Sequence, residues 1–151
     1  MSETKRILDQ LRRAYEGGAW HGPSVKELLS DVTAEQAAAR PFAGAHSIWE
    51  IVLHISAWEE GVRRRLEGVR AELSTEEDWP PVSDTSEAAW RKTLETLEAN
   101  HLRLREALKG LDDARLNEPI VEGMSSVYGT LHGVIQHSLY HAGQIALLKR
   151  A

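Results

Sequence analysis

The chain has no cysteine, which excludes a disulfide framework, a thiolate metal site and a cysteine nucleophile. It also lacks a basic excess: 18 Lys and Arg stand against 23 Asp and Glu, a formal charge of −5. A sequence-independent phosphate binder needs a basic stripe, so nucleic acid is not an expected partner. The one basic run, Arg63-Arg64-Arg65, follows Glu59 and Glu60 at a spacing of four and reads as an ion-paired, solvated helix end. No segment sustains period-two alternation, so strands are not expected. Neither a glycine-rich phosphate loop nor a Gly-x-Ser-x-Gly elbow occurs, and no repeat or low-complexity tract is visible. The residues Met1-Ser2-Glu3-Thr4-Lys5 carry no apolar signal core, which makes a cytoplasmic protein the expectation.

The 151 residues fit one domain spanning 1–151, and 42% hydrophobic with 27% charged residues suits a soluble globular chain. Seven histidines and five tryptophans stand out in so small a protein.

Apolar spacing is helical almost throughout. A first helix runs from about Ser2 to Tyr15 and stops at Gly17-Gly18. Two short pieces follow, opened by Ser24 with Glu27 and by Thr33 with Gln36, and closed by Arg40-Pro41. A second long helix, capped by Ser47 with Glu50, continues to about Glu67 and carries the stripe Ile51, His54, Ile55, Trp58, Val62 and Leu66. A third opens at Asp84 with Glu87 and ends at Gly110, its stripe being Trp90, Leu94, Leu97, His101, Leu104 and Leu108. A fourth runs from near Thr130 to Lys149-Arg150. The expected fold is therefore all-α, a four-helix bundle. The connection Val69 to Ser83 is long enough to cross the bundle and place helices two and three parallel.

From Gly123 to Leu148 there is no Asp, Glu, Lys or Arg. His132, Gln136, His137, His141 and Gln144 would be costly in lipid, so a membrane span is not expected. Such a helix is either central in the bundle or covered by a second subunit, and a homodimer is the favoured expectation.

His137 and His141 lie one turn apart on one helix face. Two readings are open for the pair: ligands converging on one ion, or partly buried rings that satisfy each other by hydrogen bonds. His54 tips the balance, because it sits in an apolar stripe where a lone polar ring needs a partner. A bundle interior can bring it to the other two, and three neutral imidazoles suit Zn²⁺ or Ni²⁺ with a coordination position left open. His101 also lies in an apolar stripe, as a fourth ligand, a supporting donor or a satisfied core residue. His132 is not co-facial with the pair, while His21 and His46 fall in connections. Glu98 with His101 is the only Glu-x-x-His, so a carboxylate-bridged di-iron bundle is excluded. Trp49, Trp58 and Trp90 fit core faces; Trp20 and Trp79 lie in connections, as loop anchors or pocket caps.

Ser47-Ile48-Trp49-Glu50-Ile51-Val52-Leu53-His54-Ile55, with His137-Ser138-Leu139-Tyr140-His141-Ala142-Gly143-Gln144-Ile145 much later, resembles the DinB-like (YfiT-type) superfamily across essentially the whole chain. The resemblance implies a four-helix bundle of up-down-down-up course, commonly a homodimer, with three metal ligands that map onto His54, His137 and His141. Members with an assigned activity are similar to S-transferases or isomerases that use a low-molecular-weight thiol. The expectation is thus a Zn or Ni protein that activates a small thiol or water toward a small-molecule substrate, with His101, Tyr140 and Gln144 as candidate supporting donors. The alternative is a metal-stabilised binding or stress-response bundle without turnover.

Overall fold

Side-chain caps decide where most of the helices begin. A computed structural model describes all 151 residues, and every regular element is helical. Helix α1 (Glu3–Glu16) opens at Ser2, whose hydroxyl accepts the Lys5 N–H, and closes at Gly17, where φ is +142°. The short helices α2 (Val25–Leu29) and α3 (Ala34–Ala38) follow; Ser24 and Glu27 form a reciprocal box, whereas at α3 only the Thr33 half of the expected box is made. Helix α4 (Ile48–Leu66) opens on the Ser47–Glu50 box and stops before Gly68, at φ +89°.

Three boundaries differ from the sequence reading. The connection after α4 holds a further helix, α5 (Thr75–Asp78), opened by a Ser74–Glu77 box. Helix α6 (Glu87–Lys109) is capped by Ser86, not Asp84. The Ser86 hydroxyl takes the Ala89 N–H, Asp84 instead accepts from Ser86 N–H at 2.9 Å, and Glu87 reaches across to the Ala34 N–H at 3.0 Å. After a 3₁₀ turn (Asp113–Asn117), α7 (Val127–Leu148) begins three residues before Thr130, because Ser126 is available to accept the Gly129 N–H.

The four long helices form an all-α bundle in which α4 packs on α6 and α7, and α1 packs on the same two. One core cluster joins the first halves of α4 and α6 (Ile48, Val52, Trp90, Leu97) to the last turns of α1 and α7 (Tyr15, Ile145). The other joins their opposite ends, through Ile7, Leu11, Val62, Leu104, Leu108 and Leu131. Each buried Leu or Ile stabilises the bundle by about 1.5–3 kcal/mol relative to exposure.

Helix α4 touches two long neighbours, so a wide arc of it is buried. Glu59 is consequently 1% exposed and does not pair with Arg63; Arg63 instead binds Glu60 and Glu67, each at 2.7 Å. Helix α7 is not central: Tyr128, Tyr140 and Leu147 lie exposed on its outer face. No helix is long and apolar enough to cross a membrane.

Candidate metal centre

His54 rises from the second turn of α4, whose start is fixed by the Ser47–Glu50 box. His137 and His141 project from one face of α7, which packs on α4. Together these two helices bring the three rings to centroid separations of 4.7, 4.8 and 4.5 Å. One ring nitrogen of each lies within 4.8 Å of the other two. His54 Nε2 and His137 Nε2 are 2.8 Å apart.

What holds the far side of each ring decides which nitrogen faces inward. His54 Nδ1–H donates to the Asp78 carbonyl at 2.6 Å, and the Asp78 carboxylate is 3.1 Å from the same nitrogen. A carbonyl can only accept, so Nδ1 of His54 carries a proton and its Nε2 is the nitrogen turned toward His137. His141 Nδ1–H likewise donates to Gln144 Oε1 at 2.6 Å. His137 differs, since its Nδ1 is buried without a partner. Burial, then repulsion from His141 and His54, pulls the His137 pKa from 6.5 down to about 4. Burial likewise lowers His141. Both rings are therefore neutral near pH 7, the form that binds a metal.

The donor set fits a divalent ion. Two nitrogens on one tetrahedral Zn²⁺ at about 2.0–2.1 Å lie roughly 3.3 Å apart, between the 2.8 Å contact and the 4.8 Å limit seen here. Rings held by an acceptor on the other nitrogen are the usual arrangement behind histidine ligands.

The cluster forms part of a wall. Trp79, which follows α5, stacks on His54 at 3.8 Å and 3° and on His46 at 3.6 Å and 7°. Beside it opens a mainly apolar cleft of about 440 Å³, lined by Phe42, His46, Trp79, Tyr140, His141 and Leu147 among others. The Trp58 indole donates to Asp78 Oδ1 at 2.7 Å and meets His137 edge-on.

The sequence model of the DinB superfamily matches residues 19–145, a span that includes all three histidines. The chain belongs to the DinB superfamily. No curated protein and no solved structure matches it.

The remaining expected residues of this DinB protein divide by place. Gln144 stands directly behind His141. Tyr140 is exposed and packs edge-on against His141 at 5.1 Å. His101 lies elsewhere, fully buried on α6, with Nδ1 3.2 Å from Glu59 Oε1 and its ring 4.2 Å from Tyr15. The far atoms of that pair, His101 Nε2 and Glu59 Oε2, are buried without partners. His132 packs at a tilt against Tyr128, and His21 bonds the Pro23 carbonyl at the surface. Trp49 and Trp90 are core residues; Trp58 is half-buried and Trp20 fully exposed.

Asp78 and His46 are the site residues that sequence reasoning missed, whereas Trp79, expected as a loop anchor or pocket cap, lines the cleft. A signal for Asp78 existed: Ser74-Thr75-Glu76-Glu77 is a capping box inside the crossover, and Pro80-Pro81 follows three residues after Glu77. For His46, only its place just before the Ser47 cap connected it to the site.

Proposed function

We propose that His54, His137 and His141 hold a divalent ion, zinc or nickel, and that the protein is a thiol S-transferase-like enzyme of the DinB superfamily. The observation that carries this reading is the pairing of three convergent imidazole rings with an adjoining apolar cleft of about 440 Å³. A bound divalent ion would supply a full positive charge and an open position at which a thiol or water ionises near neutral pH. Asp78 and Gln144 hold the histidine rings, while Trp79, Phe42 and Leu147 give the cleft its apolar lining. The chain has no cysteine, so the reacting sulfur belongs to a low-molecular-weight thiol. A reducing cytoplasm, where such thiols persist, is the setting we assign.

We assign the outer face of α7 to a homodimer contact. Tyr128, Gln136, Tyr140, Gly143 and Leu147 are exposed at a spacing of three and four or multiples of it, and no charged side chain interrupts them.

Metal analysis of untagged protein, followed by a panel of small thiols and electrophiles, tests the functional reading. One equivalent of zinc or nickel is expected, with thiol conjugation that disappears in His54→Ala and His141→Ala. Stoichiometric metal without turnover would leave a metal-stabilised binding bundle. Conjugation that survives both substitutions would sink the enzyme reading.

A further inference from the structure

A second cleft, between α4 and the first turns of α7, reaches His137 of the three-histidine cluster. It has a volume of about 300 Å³, is lined by Trp58, Arg65, Ser125, Thr130, Gly133 and His137 among others, and shares no lining residue with the apolar cleft. Its one charged lining residue is a cation. Arg65 is anchored by its Nε–H, which donates to the Ala71 carbonyl at 2.8 Å, and its guanidinium lies over Trp58 at 5.4 Å from the ring. The two terminal nitrogens make no hydrogen bond and no ion pair within the chain, in contrast to Arg63 two residues earlier, which binds two carboxylates. An arginine held at its neck, stacked on an indole and unpaired at its fork is preorganised for a planar oxyanion.

The surroundings favour a single negative charge. The nearby Asp78 carboxylate is engaged by Trp58 Nε1 and His54 Nδ1 and does not contact Arg65. Thr130 donates its hydroxyl to the Ser126 carbonyl, which leaves the Arg65 fork and the Ser125 hydroxyl as donors. The positive end of the α7 dipole adds a fractional charge. This set matches a carboxylate and undercompensates a phosphate dianion. At Gly133 an added Cβ would meet nothing within 4 Å, so the helix leaves room there for a ligand.

We propose that this cleft binds a small carboxylate-bearing molecule, held by the Arg65 fork over Trp58 and lying beside His137. The inference deepens the metal-site reading, because a ligand anchored there would approach the three-histidine cluster by a route separate from the apolar cleft.

The test is a titration of metal-free protein with butyrate, and separately with inorganic phosphate, at ionic strength held constant with NaCl. Amide signals of Thr130 and Gly133 and the Arg65 Nε–H signal are followed by NMR, and zinc affinity is measured on the same preparations. Saturable shifts at millimolar butyrate are expected, with phosphate about fivefold weaker or more. Arg65→Gln should weaken butyrate by about tenfold, and Gly133→Leu should do the same by filling the cleft, while both keep wild-type zinc affinity. Absence of saturation by about 100 mM butyrate, unchanged affinity in Arg65→Gln, or tighter binding of phosphate would each overturn the proposal. Failure of zinc binding alone would overturn the metal reading and leave the carboxylate site standing.

Discussion

A histidine ring has two nitrogens, and the partner of one fixes the use of the other. Asp78 and Gln144 do this for His54 and His141, and the cost of losing such a partner is measurable. Gln144→Ala should weaken zinc affinity about 10–100-fold in competition with a chromophoric chelator, with Gln144→Glu restoring most of it because a carboxylate still accepts the Nδ1–H. The Glu59–His101 pair makes the opposite prediction. It is fully buried and touches none of the three rings. Glu59→Ala strands a buried polar ring and should destabilise the fold by about 3 kcal/mol in urea titrations of the zinc-free protein, with zinc affinity unchanged. The three histidines were legible together and not singly: a His pair one turn apart is a weak pattern on its own, and the lone His in the apolar stripe of α4 is what gave that pair a third member. Their supports were harder to read. Asp78 makes its shorter contact to His54 through its backbone carbonyl, an atom that every residue carries, and its carboxylate reaches His54 and Trp58 only once the crossover has docked on α4.

Among the elements, caps did most of the work of placing helix starts, and errors arose where two caps competed. Asp84 and Ser86 are both good N-caps, and only the tertiary partner of Glu87, the Ala34 N–H of α3, separates them. The start of α1 shows a longer-range version of the same chemistry. Asp113, which begins the 3₁₀ turn, accepts the Thr4 hydroxyl at 2.6 Å and the Glu3 and Thr4 N–H groups at 2.8 Å. The Thr4 hydroxyl, then these backbone donors, hold its pKa below 3.8. A carboxylate with a lowered folded-state pKa stabilises fully above its unfolded value and loses that contribution as the pH falls through the folded one. Asp113→Asn should therefore be less stable than wild type at pH 7, and the gap should close in urea titrations carried below pH 3.8. A gap independent of pH would show that the anion itself contributes nothing. No local pattern linked residue 113 to residue 4, because the pairing exists only once α1 and the 3₁₀ turn have docked.

For the whole molecule, the all-α class followed from helical spacing, and the bundle followed from four long amphipathic stripes. The uncharged run of α7 was also legible, but not what covers it, since a sequence does not distinguish a face packed on its own chain from one packed on another. Here α1, α2 and α4 cover the inner side and leave Tyr128, Tyr140 and Leu147 outside. If a second copy covers them, sedimentation should give twice the 16.9 kDa chain mass, and Leu147→Glu should give a monomer with unchanged helical circular dichroism. A wild-type protein that remains monomeric at high concentration would remove the dimer assignment.

The histidines that meet at the candidate centre come from chain positions 83 residues apart. Joined through one ion, they would tie a long loop shut with a fastener that opens and closes reversibly. Fraying of α7 from α4 would then require ligand release, so the lifetime of the bound ion and the local unfolding of the last helix become one kinetic event. Hydrogen exchange along α7 would slow on metal loading to the pace at which the ion leaves.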